Sequence, residues 1–187
     1  MSELRAQGVA RVLVSEDDLR ARVQDIAADL DREYAGDVPL LVGVLNGAVV
    51  FMSDLMRAMT IPLEIDFMAV SSYGNATTSS GVVQIIKDLS KPIEGRRLIV
   101  VEDIVDSGLT LRYLLDVLSR RNPADICVVA LLTKRKPDAI EVQEDHIGFE
   151  IPDEFVVGYG LDFAGKYRNL PYVAVLDPKA VPDVTAR

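Results

Sequence analysis

Apolar runs and amphipathic stretches alternate along most of the chain. Residues 9–14 form a short alternating apolar patch, expected as an edge strand. Ser15, followed by Glu16, Asp17 and Asp18, is a helix-start signal, and Leu19, Val23, Ile26, Ala27, Leu30 and Tyr34 then form one apolar face that stops at Gly36. Residues 39–45 are a continuous apolar run, expected as a central strand. After Asn46-Gly47-Ala48, the spacing of Phe51, Met52, Leu55, Met56 and Met59 predicts a second helix with methionines as core filler. Residues 63–71 and 82–86 read as strands. Between them, residues 72–81 have no periodicity and are rich in small polar side chains, which reads as a linker, a hairpin tip or an active-site lid. Residues 125–132 and 172–176 are two further apolar runs. Strands alternating with helices predict a mostly parallel sheet flanked by helices, with right-handed crossovers. The stretch 149–162 breaks that rhythm and reads as a small hood over the strand ends.

The densest chemistry lies in residues 97–121. Leu98 to Val101 form an apolar run of the kind a strand buried on both faces carries, and it stops at two adjacent carboxylates, Glu102 and Asp103. Ile104 and Val105 follow, then the polar turn Asp106-Ser107-Gly108-Leu109-Thr110, then Leu111, Leu114, Leu115 and Leu118 at helical spacing. In an open parallel sheet, ligands bind at such a loop, beyond the carboxyl ends of the strands. The helix start offers unpaired N–H groups to an anion, and Gly108 lets a backbone approach closely. The turn lacks the Gly-Lys-Ser/Thr ending of a Walker loop. Carboxylates beside an anion site suit sugar hydroxyls or a divalent cation. A plain acidic strand end before a capped helix fits the apolar spacing equally well, but it leaves two acids, a third acid and a hydroxyl-rich turn unexplained together.

Charge and composition narrow the chemistry. A net charge of −9 with a pI of about 4.6 argues against a broad nucleic-acid surface and makes a bound magnesium more attractive for any polyphosphate substrate. At 187 residues the chain is expected to be a single domain with a sizeable core. No apolar run approaches the roughly 18–20 residues that span a bilayer, and the N-terminus shows no signal-peptide region, so no membrane partner is expected and the cytoplasm is the default location. One cysteine and one histidine leave almost no raw material for a zinc site or a Ser-His-Asp triad, so acid–base work falls to carboxylates, lysines or tyrosines. Cys127 reads as a small core residue, with a reactive thiol as the second reading, and His146 reads as a solvated loop residue.

The run VVEDIVDSGLT closely resembles the 5-phosphoribosyl-1-pyrophosphate (PRPP) motif of the type I phosphoribosyltransferases. The resemblance implies that fold: a mostly parallel twisted sheet flanked by helices, with a small hood drawn from about residues 134–170 plus the N-terminal segment. It implies that Glu102 and Asp103 contact the ribose hydroxyls and that Ile104, Val105, Asp106, Ser107, Gly108, Leu109 and Thr110 cradle the 5-phosphate. Leu109 stands where many members carry lysine, and its backbone N–H is kept. Leu45-Asn46-Gly47 falls at the family's pyrophosphate loop, often Leu-Lys-Gly. Asn46 replaces the lysine, and the family often has a cis peptide at the bond between Leu45 and Asn46. Ser72-Tyr73 matches the start of the family's flexible loop and so favours the lid reading.

The C-terminal run IPDEFVVGYGLDF, followed by YRNLP, sharpens this to a resemblance to the hypoxanthine-guanine phosphoribosyltransferase branch of the family, over about residues 40–175. That branch implies Lys134 donating to a purine 6-oxo group, Phe155 stacking on the base and main-chain groups at Val156 reading its edge. It also places Asp162 beside the base and pyrophosphate, as a magnesium-placing carboxylate with Glu102 and Asp103, and Arg168 on pyrophosphate. Asp106 becomes the general base. Each residue also has a plain reading: Phe155 as core, Asp162 as a cap, Arg168 as a surface charge, the cluster at Lys134 as solvated surface. The implied activity is purine salvage, forming IMP or GMP and pyrophosphate from hypoxanthine or guanine and PRPP with Mg²⁺, in a homo-oligomer (dimer or tetramer) with no nucleic-acid partner. A transferase for xanthine or adenine, or a PRPP-sensing regulator of the same fold, is the alternative.

Overall fold

The continuous apolar runs assemble into one six-stranded sheet, in the computed structural model that describes residues 8–73 and 82–177. In chain order the elements are β1 (Val9–Val14), α1 (Glu16–Glu33), β2 (Leu40–Leu45), α2 (Val49–Ala58), β3 (Glu64–Tyr73), β4 (Val82–Lys87), β5 (Arg97–Val105), α3 (Leu109–Ser119), β6 (Asp125–Lys134), β7 (His146–Ile151), β8 (Val156–Val157) and β9 (Val173–Leu176). The main sheet runs β4-β3-β2-β5-β6-β7, parallel throughout except for the edge strand β4, which returns antiparallel to β3.

Alternation along the central strands decides which helix packs where. Leu41, Ile99, Val101, Cys127 and Val129 face α1 and α2. Their neighbours Leu40, Val42, Leu98, Val100 and Val128 face α3. Successive side chains on a strand point to opposite faces, so runs such as Leu98 to Val101 must be apolar at every position to fill both layers. Helix α1 begins where the sequence indicates: Ser15 is extended (φ −74°, ψ 162°) and its hydroxyl accepts from Asp18 N–H at 3.1 Å, with three acids in the first turn facing the positive end of the helix dipole. Among the described residues no helix is long and apolar enough to cross a membrane.

The register brings the carboxyl ends of β2, β5 and β6 to one edge. Leu40 to Gly43 pair with Leu98 to Val101, and Ile104 and Val105 pair with Leu132 and Thr133. The loops after Leu45, Val105 and Lys134 therefore open on the same side. A second sheet, β1-β9-β8, is antiparallel throughout and unites the two ends of the described chain.

Two expectations change. The stretch 149–162 does not belong wholly to a hood, because β7 joins the main sheet parallel to β6 with only the loop 135–145 between them. Gly148, His146 and Glu150 hide this strand, and it is an edge strand, so its pattern is only half buried. His146 is not a solvated loop residue. It opens β7, its side chain is 12% exposed, and Nε2 lies 3.2 Å from Glu33. Ser72 and Tyr73 are the last residues of β3, paired through the backbone with Val83 and Val82. The rest of the expected lid, 74–81, lies outside the described residues.

Candidate active site

Strand β5 buries Glu102 within the protein and sets Asp103 half-buried at the cavity wall. Glu102 is 5% exposed, and burial pushes its carboxyl well above the usual range, with the neighbouring Asp103 adding to the effect. Asp103 is pushed up to about 6, first by burial and then by Asp162. The N–H groups of Ile104 and Asp103 and the Arg168 guanidinium oppose the shift. Ile104 N–H donates to Asp103 Oδ1 at 2.9 Å.

Glycines make room for this arrangement. A Cβ on Gly47 would overlap the Asp103 carboxylate, so the Leu45-Asn46-Gly47 loop closes on the acid only because no side chain intervenes. Gly160, at φ +101°, packs in the same way on the Gly47 carbonyl. Arg168 donates to the Gly160 carbonyl at 2.6 Å and pairs with Asp162 at 2.7 Å. Asp162 also accepts from Gly165 N–H at 2.8 Å. The segment 158–168 thus rests directly on the β2–α2 loop. The Leu45–Asn46 peptide is cis.

The turn after β5 ends in Gly108, at φ +75°, which leads into α3 with no side-chain cap. Leu109 N–H makes a long contact to the Ser107 hydroxyl at 3.4 Å, and the next amides, of Thr110 and Leu111, head the helix where an anion would bind. The loop 137–142 supports this turn from behind: Ile140 N–H donates to the Ser107 carbonyl at 2.9 Å, and a Cβ on Gly108 would strike the Ile140 carbonyl. The Asn46-Gly47 loop, residues 102–108, Thr110, Asp162 and Arg168 enclose a cavity of about 300 Å³.

A second cavity, of about 240 Å³, adjoins it and is lined by Asp106, Lys134 and Lys136. Asp106 borders both. Lys134 is buried, and its Nζ lies 3.4 Å from Asp106 and 3.4 Å from Asp153. Lys136 makes the shorter contacts, 2.6 Å to Asp106 and 2.8 Å to Asp153. These pairs hold the Lys136 ammonium above its ordinary range and the Asp153 carboxyl below its own. Arg135, between the two lysines, also borders this cavity, but its guanidinium pairs with Glu144 and Glu150 rather than with Asp106 or Asp153. Neither Lys136 nor Asp153 was singled out from the sequence as a site residue. The Lys-Arg-Lys run at a strand end was the available signal, and all three of its residues border the cavity.

The structure brings together Leu45, Asn46, Gly47, Glu102, Asp103, Ile104, Val105, Asp106, Ser107, Gly108, Thr110, Asp162 and Arg168 around one cavity, and sets Lys134 beside it. Leu109 opens α3 directly behind Gly108. Asp162 sits with the acid pair and Arg168, outside the lysine-lined cavity. Phe155 is 48% exposed, and its ring meets Phe163 edge-on at 5.6 Å, which leaves ring surface for a stacking partner. Val156 is buried in β8 and pairs with Val175. A larger cavity of about 550 Å³ lies between α1, α2 and residues 168–171, away from the acid pair, and the α3 amides do not open on it. Size alone therefore does not mark the site. Glu102, Asp103 and Asp162 offer oxygen donors only, the first buried, the second half-buried, and both with raised affinity for protons. That donor set fits a hard divalent cation such as magnesium.

This chemistry belongs to a known class. Residues 15–164 match the phosphoribosyl transferase domain, and the chain belongs to that family. Within it, the chain is 50% identical over 170 residues to the hypoxanthine-guanine phosphoribosyltransferase of Bacillus subtilis (strain 168), an alignment covering 91% of this chain and 94% of that protein. It is also 50% identical over 171 residues to the bifunctional protein TilS/HprT of Listeria monocytogenes serotype 4b (strain F2365), covering 91% of this chain but only 26% of that protein, so the chain spans about a quarter of that relative's length. A crystal structure of a hypoxanthine phosphoribosyltransferase from Staphylococcus aureus superposes with a TM-score of 0.89 at 40% identity, covering 94% of this chain and 96% of that one.

The raised Asp103 carboxyl has a measurable consequence. Its ordinary value is 3.8, and here it titrates at about 6. Between those values the folded protein holds a proton that the unfolded chain has lost, so this group's contribution to stability is full below the lower value and is lost as pH rises through the upper one. The loss amounts to about 3 kcal/mol when complete. In the ligand-free protein, Asp103→Asn should therefore be more stable than wild type at neutral pH, by up to that amount, and the advantage should shrink toward about pH 4. Urea unfolding across that range, without divalent cation, checks it. A stability difference that does not vary with pH would contradict it.

Proposed function

We propose that this chain transfers the 5-phosphoribosyl group of PRPP to hypoxanthine or guanine, forming IMP or GMP and pyrophosphate. The observation that carries this reading is the position of Asp106. It is the one acid bordering both the cavity built for a phosphorylated sugar and the cavity lined by lysines. A base in that position can serve the atoms that react between the two. The names borne by the B. subtilis and S. aureus relatives support the same reading.

In this reading the 5-phosphate lies on the open amides at the start of α3, with Ser107 and Thr110 adding hydroxyl donors. Glu102 and Asp103 accept from the ribose hydroxyls. Asn46, Gly47 and Arg168 receive the pyrophosphate, Asn46 and Gly47 through backbone N–H groups and Arg168 through its guanidinium. Glu102, Asp103 and Asp162 would hold magnesium, which would supply positive charge against the departing pyrophosphate. Phe155 stacks on the purine, main-chain groups at Val156 read its edge, and Asp162 closes the site near the base. Lys134 turns from its two long carboxylate contacts to the 6-oxo oxygen, while Lys136 keeps the shorter ones. Asp106 takes the proton from the imidazole ring of the purine as that ring attacks the anomeric carbon. The small sheet and segment 152–170 form the hood of a single phosphoribosyltransferase domain. The segment that Ser72 and Tyr73 lead into serves as the lid that excludes water.

Turnover of hypoxanthine, guanine, xanthine and adenine with PRPP and magnesium tests the assignment. Lys134 donates, and adenine presents an amino donor where the oxopurines present oxygen. Two reversed hydrogen bonds in a closed site support discrimination of about 10⁴ in kcat/KM. Lys134→Ala should cost about 1.5–3 kcal/mol with hypoxanthine and narrow the gap to adenine. A wild-type ratio near one would overturn the purine assignment.

Asp106→Asn should slow nucleotide formation by about 10²-fold, within the 10²–10⁴ range of general-base catalysis. PRPP binding should change little, because the loop amides hold the phosphate. Wild-type turnover by this variant, under conditions where chemistry limits the rate, would remove Asp106 as the base.

A further inference from the structure

The chain has one cysteine and one histidine, a composition that argues against a zinc site, yet the fold brings the two together. They meet at the amino-terminal end of the main sheet, opposite the candidate active site. Cys127 lies near the start of β6, and His146 opens β7, paired with Val129. Glu33, the last residue of α1, completes the cluster. A Glu33 carboxylate oxygen, the Cys127 sulfur and a His146 ring nitrogen all lie within 4.8 Å of one another. Cys127 and His146 are 7% and 12% exposed, whereas the Glu33 side chain is 49% exposed, so the cluster opens to solvent on the Glu33 side.

The surroundings favour a cation. Glu33, Asp125 and Asp145 all place negative charge near the sulfur, and the Tyr34 hydroxyl is within hydrogen-bonding reach of it. Two guanidinium groups in this region are committed elsewhere: Arg97 pairs with Asp37 at 2.7 Å and Asp125 at 3.1 Å and lies 4.1 Å over the Tyr34 ring, and Arg22 donates to the Ile147 and Gly148 carbonyls at 2.6 and 3.1 Å. Tetrahedral zinc, with bonds of about 2.0–2.3 Å, sets its donors about 3.4–3.7 Å apart. The 3.2 Å between His146 and Glu33 is already close to that spacing, and the Cys127 sulfur lies within 4.8 Å of both.

We infer that Glu33, Cys127 and His146 form a binding site for a zinc-type divalent cation, with water as the fourth ligand. Sulfur and nitrogen donors select against magnesium and calcium, so this site is chemically distinct from the oxygen-only set at the acid pair. On binding, the Cys127 S–H bond breaks, its electron pair forms the sulfur–metal bond, and the proton passes to solvent. The Tyr34 hydroxyl then donates to the thiolate from outside the coordination shell. The cation would tie the end of α1 to β6 and to the edge strand β7, which no helix joins to β6. It would stabilise the fold without entering the transfer reaction.

The test is a cobalt(II) titration of the full chain in magnesium-containing buffer. The inference expects a thiolate-to-cobalt charge-transfer band that saturates at one equivalent per chain and is displaced by zinc. Cys127→Ser should abolish the band. Because that substitution falls in the core, Glu33→Gln and His146→Gln serve as independent variants. Each should weaken cobalt binding by about tenfold or more, and zinc should raise the thermal midpoint of wild type and not of His146→Gln. Absence of the charge-transfer band in wild type would overturn the site, leaving a His146–Glu33 ion pair beside a core thiol. So would a band that persists in Cys127→Ser, or undiminished affinity in both of the other variants.

Discussion

The site depends on two neighbouring carboxylates that the fold sets deep: Glu102 is buried, and Asp103 is half-buried on the cavity wall. Glu102 and Asp103 lie within β5, after residues that fill both layers of the core, so Glu102 inherits the full burial of that strand and Asp103 part of it. Two like charges in such a place are costly unless a cation or hydrogen-bond donors meet them. Much of the surrounding architecture follows from that constraint. Gly47 leaves space for the Asp103 carboxylate, Gly160 packs on Gly47, and Arg168 holds the Gly160 carbonyl while it moderates Asp103 from a distance. Loop, hood segment and acid pair form one packed unit.

The same logic organises the charges around the acids. In a chain of net charge −9, the cations of the site are few and paired. Lys134 and Lys136 each stand between Asp106 and Asp153, and Arg168 stands on Asp162. A substrate with several negative charges would meet these cations already oriented by their carboxylate partners. Asp153 precedes Phe155 and Val156 by two and three residues, so the lysine cluster also links the turn after β5 to the segment that would hold the base. Preorganisation of this kind places donors before the reacting groups arrive.

Much of this was legible in the sequence, for physical reasons that differ from element to element. The run from Leu98 to Leu118 was readable because a strand buried on both faces, an acid pair and a helical apolar period follow one another without interruption. The start of α1 was readable because a serine cap followed by acids is a local signal, and local signals need no partner. Strand β7 was not readable: Gly148 and the charges around it blur the pattern of an edge strand. The pairing of Lys136 with Asp153 and the meeting of Cys127 with His146 were not readable either, because both are contacts between residues 17 or more positions apart that only the strand register creates. The depth of Glu102 was also hidden, since an acid at a strand end is usually solvated.

The acid pair sits at an electrostatic cost in the free protein, Glu102 buried and Asp103 half-buried beside it, and cation and sugar ligands relieve that cost. Carbon-13 NMR titration of the Glu102 and Asp103 side-chain carboxyls tests it most directly. In the ligand-free protein the account expects Glu102 to titrate well above the ordinary range and Asp103 at about 6. With magnesium and PRPP bound, both should titrate below the ordinary carboxylate range. Ordinary values in the free protein, or raised values that the ligands leave unmoved, would contradict it.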